Sequence, residues 1–263
     1  MFRRYVTLLT VLGLIVSCGE SSSRIEIPFA AMFGSASISC NAGSDARLTD
    51  LRFYVHKLRL IDLDGREHPV TLEADAWQQT DLAFVDLEDG TGDCLNGTTE
   101  MNQVIRGSAS TRDYRGLVFS IGVPFSRNHG DPLTATAPLG DADMHWHWRG
   151  GYKFLRAGIK TDEDSFWIHL GSTGCEGTIR NITGCNAPNR AEIRLGEFRP
   201  GDTISVDLAA LAGDAALLDS EASDCSSGPA ETDCADAFAA LGLVHATGDA
   251  VGVQQVFSLQ ARP

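Results

Sequence analysis

The stretch LTDLRFYVHKLRLIDLDGREHPVTLE, residues 48–73, decides the fold. Both of its halves are rich in Val, Ile, Leu, Tyr and Phe, residue types that fit the pleated, half-buried surface of a sheet. Between the halves stands Asp64-Gly65, a dipeptide that favours a tight turn between antiparallel strands. The segment therefore predicts a β-hairpin.

Strand patterns bounded by turn residues recur along the chain, at residues 114–124, 152–161, 165–175 and 191–211. The last of these contains two strands around Pro200-Gly201. Helical patterns are confined to residues 214–222 and 233–244. Many short strands at close spacing are typical of a sandwich. We predict an all-β, single-domain antiparallel β-sandwich with long loops and short C-terminal helices.

The N-terminus has the composition of an export signal. Arg3 and Arg4 precede an apolar run, residues 6–16, that is shorter than the roughly 20 residues a membrane span needs. The run ends in Ile-Val-Ser-Cys, which resembles a bacterial lipobox whose cysteine, here Cys18, is acylated. Gly19 follows, where an Asp would favour retention in the inner membrane. The alternative is an ordinary cleaved signal with an incidental cysteine.

These features divide the chain into a lipoprotein signal peptide (1–17), a polar tether (18–24) and a folded domain (25–263). The expected location is the bacterial cell envelope, with a lipid anchor in the outer membrane and the domain in the periplasm or on the cell surface. The net charge of −14 excludes proteins that seek nucleic acid or anionic lipid.

Six cysteines remain after Cys18, an even number that predicts disulfides in an exported chain. They are Cys40, Cys94, Cys175, Cys185, Cys225 and Cys234. The close spacing of the last two pairs favours local bridges and leaves Cys40 with Cys94, but spacing alone does not decide the pairing. If all six are oxidised, His, Met, carboxylates and aromatic residues carry any chemistry.

The stretch DADMHWHWRGGYKF, residues 141–154, contains half of the four tryptophans. In a strand, His145 and His147 point to one face, and Trp146 and Trp148 to the other. Periodicity favours tryptophans in the core and histidines in water. The alternative is a chelating histidine pair. The stretch follows an aperiodic segment, residues 125–144, and a loop of that length is usually functional or disordered.

Other histidines extend the metal hypothesis. His129 lies in the long loop, His56 shares a strand face with Tyr54, and His169 shares one with Trp167. Neutral imidazoles in an oxidising compartment suit copper, zinc or nickel, although a structural role for each is at least as common. The sequence contains no HExxH, GxSxG, phosphate-binding glycine loop or EF-hand spacing, so no motif supports a hydrolase.

Six blocks in order along the chain resemble the MbnP-like family, also described as the four-Cys member of a metallo-mystery pair. The most specific are M-x-W-x-W-x-x-GYKF and HLGSTGC, and the resemblance extends over about residues 25–215. The blocks are residues 50–62, 76–94, 116–129, 144–159, 166–175 and 185–193.

The resemblance implies an exported copper(I)-binding lipoprotein for copper acquisition or homeostasis. The same resemblance implies that it is not an enzyme but the protein substrate of a partner di-haem cytochrome of the MauG and cytochrome c peroxidase type, which oxidises a tryptophan to kynurenine. The related copper proteins MopE and CorA bind Cu(I) with two histidines and a kynurenine. Cu(I) accepts low coordination by imidazole, and kynurenine supplies an amine and a carbonyl that indole lacks.

Carried over residue by residue, the resemblance makes His129 and His169 the copper pair and His56 a weaker third candidate. His145 and His147 fall at variable family positions and stay in reserve. The candidates for oxidation are Trp77, Trp146, Trp148 and Trp167. Trp77 receives as much weight as the other three together, and Trp167 forms a Trp-x-His with His169 that resembles the kynurenine site of MopE.

A different class of function fits the same sequence. A surface sandwich module could bind a glycan or a protein partner through exposed aromatic side chains, without any metal. Metal analysis of protein from its native envelope distinguishes the two.

Overall fold

The computed structural model describes residues 21–42, 46–79, 81–162, 164–179, 181–216 and 223–260. The strands are β1 (Ser22–Phe33), β2 (Ala36–Ser37), β3 (Arg47–Asp62), β4 (Glu67–Pro69), β5 (Thr71–Leu72), β6 (Gln78–Gln79), β7 (Leu82–Asp86), β8 (Val104–Ser110), β9 (Tyr114–Ile121), β10 (His145–His147), β11 (Gly151–Lys160), β12 (Ser165–Gly171), β13 (Thr173–Thr178), β14 (Asn181–Ala187), β15 (Glu192–Gly196), β16 (Ile204–Asp207), β17 (Ser223–Cys225) and β18 (Phe257–Leu259). The helices are α1 (Phe125–Asn128), α2 (Leu208–Ala216), α3 (Ala235–Ala240) and a 3-10 turn (Thr232–Cys234). Within these residues, no helix combines the length and apolar character of a membrane span.

Two sheets form the body of the fold. The first has the order β18-β16-β1-β8-β5, and the second has the order β15-β9-β3-β11-β12-β17 with four short strands attached. Most neighbours are antiparallel, whereas β1–β16 and β12–β17 are parallel. The long strand β3 pairs with β11, β7, β9 and β4 in turn along its length. It is therefore the organising strand of the second sheet.

Aromatic rings join the two sheets. Phe29 of β1 packs edge-on against Phe53 of β3 and Phe119 of β9, with ring centroids 5.4 and 6.1 Å apart. Phe257 of β18 contacts the same two rings of the second sheet at 5.7 Å. Edge-to-face packing at these distances is favourable beyond the burial of area. The predicted β-sandwich is confirmed.

Turn residues define the strands as the sequence predicts. β3 and β4 form the hairpin around Gly65, and the strands predicted at residues 152–161 and 165–175 form a second antiparallel pair, β11 and β12. All six cysteines form disulfides, and the pairing is the one that spacing favours: Cys40–Cys94, Cys175–Cys185 and Cys225–Cys234. The disulfide framework is confirmed.

One predicted strand is shorter than expected. β16 ends at Asp207, whose carboxylate accepts hydrogen bonds from the backbone N–H groups of Ala209 and Ala210 at 3.0 and 3.4 Å. An aspartate in this position satisfies the first free donors of a helix, so α2 begins at Leu208. Gly213, at φ 72°, interrupts it. Of the predicted helix 214–222, residues 217–222 lie outside the described residues, whereas α3 lies within its predicted range.

The N-terminal strand begins inside the predicted tether. Ser22 pairs with Ser110 and Arg24 with Ser108, so residues 22–24 belong to the first sheet. The predicted signal peptide and Cys18 lie outside the described residues.

The long segment 125–144 is ordered against the second sheet. Because Phe53 faces the first sheet, its neighbours Arg52, Tyr54 and His56 face away from it. The segment covers this outer face. Tyr54 Oη donates to the carbonyl of Pro138 at 3.4 Å, and Tyr152 Oη donates to that of Leu139 at 2.6 Å.

Phe53→Ala should lower the free energy of unfolding by about 3–5 kcal/mol, because Phe53 is fully buried where the two sheets meet. Leu63→Ala is the control, since Leu63 is 58% exposed, and it should change stability by less than about 0.5 kcal/mol. Chemical denaturation measures both. Equal effects of the two substitutions would contradict the described core.

Candidate metal centre

His129 is fixed against the turn that precedes β11. Its neighbour Asn128 accepts a hydrogen bond from the backbone N–H of Tyr152 at 3.0 Å and donates to the carbonyl of Gly150 at 3.5 Å. Gly151 has φ 77°, and a Cβ there would lie 2.3 Å from the Asn128 carbonyl oxygen. The GG dipeptide of the HWHWRGG motif therefore allows the close approach that places His129.

The imidazole of His129 is half-buried, and its surroundings favour the neutral form of the ring. Burial lowers its pKa, opposed by the backbone carbonyl of Trp148 and assisted by the charge of Arg190. Nδ1 is buried without a hydrogen-bond partner. Nε2 lies 3.3 Å from Asn128 Nδ2 and 3.7 Å from Cys185 Sγ. Nδ1 thus has no hydrogen bond of its own, while the carbonyl of Trp148 lies close to the ring.

His145 is the second histidine of the same region. Its ring packs edge-on against Tyr152, with centroids 4.9 Å apart. Burial lowers its pKa and His147 and His129 lower it further, whereas Asp131 and the backbone carbonyl of Gly130 oppose the shift. Its Nε2 is also buried without a partner. The long loop and β10 therefore place two neutral imidazoles, each with an unpartnered nitrogen, near enough for their charges to interact.

An open cleft of about 580 Å³ reaches His129. Its walls include Phe125, Asp131 and Ile182. Asp131 is a carboxylate that sequence reasoning missed, although it follows His129 by two residues in RNHGD. The cleft offers a small cation an entry path and one negative charge beside it.

His147 serves the turn instead of the pair. It is exposed, and its Nδ1 accepts hydrogen bonds from the backbone N–H groups of Arg149 and Gly150, both at 3.2 Å. β10 is only three residues long, and its register shifts between His145 and His147. The simple alternation of faces predicted for HWHW is therefore interrupted.

The two tryptophans of the motif are half-buried at the edge of the second sheet, not packed between the sheets. Trp146 lies over Gly171, where a Cβ would come within 2.5 Å of its ring. Trp148 carries the guanidinium of Arg149 over its ring at 5.0 Å. The prediction that these indoles fill the core is wrong.

His169 lies in different surroundings. It stands opposite Arg156 across β11 and β12. Burial lowers its pKa to about 4, and the charges of Lys153, Arg156 and Arg52 lower it further. Its Nε2 is buried without a partner, and its ring lies 6.4 Å from that of Trp167. The predicted Trp-x-His contact exists, but cations surround it.

His56 is the most buried of the predicted ligands, at 3% exposure. Burial lowers its pKa to about 3, and its charged neighbours, all cationic, act in the same direction: Lys57, Arg190, Arg127 and Arg59. Its Nε2 has no hydrogen-bond partner. A metal cation at His56 would have to enter a buried position and would lie near four positive charges.

A buried ion cluster lies on the same outer face. The guanidinium of Arg52 donates to both carboxylate oxygens of Asp50, at 3.0 and 2.7 Å, and to Asp141 of the long loop at 3.3 Å. Glu88 lies 3.9 Å from it, and Arg156 Nε lies 2.9 Å from Asp50. This cluster fixes the end of the loop only four residues before His145.

A row of rings crosses the outer face from Trp77 to His145. Trp77 stacks on Phe84 at 6.0 Å, Phe84 lies 4.7 Å from Tyr54, and Tyr54 lies 5.9 Å from Tyr152. Tyr152 then contacts His145. Trp77 is therefore the outer end of an aromatic row and is not an isolated side chain.

Comparisons with known proteins agree with this architecture. The model of the MbnP family matches residues 22–227. The chain belongs to the MbnP family. The resemblance seen in the sequence blocks is thus confirmed.

A solved member of that family has a similar fold. MbnP from Methylosinus trichosporium superposes with a TM-score of 0.74 and 23% identity, over 91% of this chain and 98% of that one. At this identity the match establishes the shared MbnP fold. Among curated proteins, none matches this chain in sequence.

Asp86 gives the outer face a testable pH dependence. Burial raises the pKa of Asp86 to about 8, and Glu88 adds to the shift. Between about pH 4 and 8 the folded state holds a proton that the unfolded state has lost, so stability falls as pH rises. Asp86→Asn should flatten this slope and stabilise the protein at neutral pH.

Thermal melts at several pH values measure the effect. Asp64→Asn is the control, because the Asp64 side chain is 70% exposed in a turn. It should leave the slope unchanged. A parallel loss of stability at every pH in Asp86→Asn would instead assign Asp86 a purely structural role.

Proposed function

We propose that this protein binds Cu(I) through His129 and His145. The observation that carries the proposal is the pair of buried imidazole nitrogens, Nδ1 of His129 and Nε2 of His145, that have no hydrogen-bond partner. Metal ligation requires the neutral imidazole, and burial favours that form in both rings. Cu(I) suits imidazole ligands. The donor set fits the metal.

Charge distinguishes this pair from the other candidates. His169 and His56, both predicted ligands, have cationic neighbours that oppose an added cation. His145 has Asp131 beside it, and His129 has one cation, Arg190, as a charged neighbour. We therefore replace the predicted partner His169 with His145.

The proposed third ligand is a kynurenine formed from Trp148. Its backbone carbonyl lies beside the His129 ring, and its half-buried indole is within reach from solvent. The oxidant is the partner di-haem cytochrome of the MauG and cytochrome c peroxidase type. The protein is then a substrate of that oxidase and not itself an enzyme.

The proposed setting is the bacterial envelope, with the chain exported and anchored through Cys18, where it serves copper acquisition or homeostasis. The lipobox-like sequence supports the anchor. Three disulfides support an oxidising compartment.

A second function has one observation in its favour. A cleft of about 410 Å³ lies beside the motif and combines an indole with polar groups. Its lining includes Trp146, His147, Ser172 and Thr173. Such a surface suits a glycan or a protein partner without metal. Copper in protein isolated from native envelopes would favour the first function over this one.

His129→Ala and His145→Ala should each weaken Cu(I) binding by about 100-fold or more, since losing even a supporting residue of a metal site costs about 10–100-fold. Competition with a chromophoric Cu(I) chelator measures the affinity. His147→Ala is the matched control and should bind as the unmodified protein does. Loss of affinity in His169→Ala with His145→Ala unaffected would restore the pair predicted from sequence.

Co-expression with the di-haem partner should convert Trp148 to kynurenine. Tandem mass spectrometry of the peptides that contain the four tryptophans locates the modification. Trp148→Phe should abolish the modification. His129→Ala retains Trp148 and should still be modified. Kynurenine found instead at Trp77, Trp146 or Trp167 would show that the modified residue lies elsewhere.

A further inference from the structure

The disulfide Cys175–Cys185 differs from the other two in its exposure. Cys185 is half-buried and Cys175 is 8% exposed. The other four cysteines are at most 2% exposed. Exposed disulfides are the ones that thiol reductants reach first. A mild reductant should therefore open this bridge while the other two stay closed.

A histidine stands directly beside this bridge. Nε2 of His129 lies 3.7 Å from Sγ of Cys185, and the ligand atoms of His129, Cys175 and Cys185 all lie within 4.8 Å of one another. Bond lengths of about 2.3 Å to sulfur and 2.0–2.1 Å to nitrogen place tetrahedral ligands about 3.5 Å apart. The nitrogen and one sulfur thus already have nearly the separation that a bound ion requires.

We propose that reduction of Cys175–Cys185 creates a site for a thiophilic cation, Zn(II) or Cu(I), with two thiolates and His129 as ligands. The bridge is then a latent metal site that a redox change exposes. The site needs neither His145 nor a kynurenine, so it does not depend on the proposed copper pair. The two sites use different nitrogens of His129, Nε2 for the thiolate site and Nδ1 for the histidine pair. A neutral imidazole has only one nitrogen with a free lone pair, so a metal held by the thiolates excludes one held by the histidines.

The chemistry requires a dithiol reductant. One of its thiolates attacks Sγ of the more exposed Cys185, and Cys175 leaves as a thiolate. The second thiol of the reductant then attacks its own sulfur in the mixed disulfide and releases Cys185. Two electrons and two protons pass from the dithiol, which becomes a disulfide, to the cystine. The metal replaces the two protons.

The hairpin keeps the released sulfurs in place. Cys175 and Cys185 are directly opposite each other in the antiparallel pair β13–β14, and the pairing extends on both sides of them. The hairpin is tied to its surroundings by hydrogen bonds from Thr173 Oγ1 to the Ser227 carbonyl and from Ser172 Oγ to the Pro188 carbonyl, at 3.3 and 3.0 Å. None of these contacts involves the disulfide.

A second cluster provides an internal comparison. Cys225, Glu231 and Cys234 also bring three donor atoms within 4.8 Å. Both of these cysteines are fully buried, and the Glu231 carboxylate already accepts a hydrogen bond from the backbone N–H of Ser226 at 2.6 Å. This cluster has the same number of donors but is closed to a reductant.

The test uses the full mature protein. A mild dithiol is applied and removed under inert gas, and alkylation with mass spectrometry identifies the opened bridge. Co(II) is then added as the probe, because its bonds to thiolate give a strong near-ultraviolet absorption, and Zn(II) is used to displace it. We expect one equivalent of Co(II) in the reduced protein and none in the oxidised protein.

Variants locate the site. The double substitution Cys175→Ser/Cys185→Ser should abolish the Co(II)–thiolate absorption, whereas Cys225→Ser/Cys234→Ser should retain it. His129→Ala should weaken Co(II) binding by at least about 10-fold, and His145→Ala should leave it unchanged. Circular dichroism of each variant confirms that it is folded.

Two results would overturn the proposal: a selectively reduced protein that binds no Co(II), or an absorption that follows Cys225 and Cys234. A reduction that opens all three bridges at once would also count against it, since selectivity is part of the inference. Cu(I) binding by oxidised His145→Ala is measured separately, so failure of the histidine pair and failure of the thiolate site give different results.

Discussion

The fold depends most on one buried charge, the guanidinium of Arg52 on the outer face of β3. An unpaired charge in a protein interior costs several kcal/mol, so carboxylates must surround it. Asp50 lies on the same strand as Arg52, whereas Asp141 lies 89 positions further along the chain. That second contact closes the long loop over the sheet. Because the loop carries His129 and leads into His145, this ion cluster sets the positions of the candidate metal ligands.

The outer face of the second sheet is divided by charge. One part, around His169 and His56, is rich in guanidinium and ammonium groups that keep its histidines neutral by repulsion as well as burial. In the other part, the imidazoles of His129 and His145 are neutral mainly because they are buried. Both parts contain imidazole nitrogens without a hydrogen bond, but the second part is better suited to a positive ion. Composition alone does not distinguish them.

Local patterns predicted much of the architecture. The hairpin at Gly65 and the β11–β12 pair follow from turn residues close in sequence. Cysteine spacing favours the observed disulfides without deciding them. The proposed pairing of His129 with His145 did not follow from local patterns, because the path of the loop depends on Arg52 and Asp141, which are far apart in sequence. The helix start at Leu208 did not follow either, because hydrogen bonds to the Asp207 carboxylate decide it and periodicity does not reveal them. Periodicity also does not reveal the register shift in β10.

The early start of β1 limits how far the sandwich can stand from a membrane. Ser22 is already paired with Ser110 in the first sheet. If Cys18 carries the predicted lipid, the intervening backbone can extend by at most about 14 Å, at 3.3–3.6 Å per residue. The domain would then rest almost on the bilayer surface, with little freedom to swing outward. A partner protein would then reach the sides and the membrane-distal face of the domain, but not the face that lies on the bilayer.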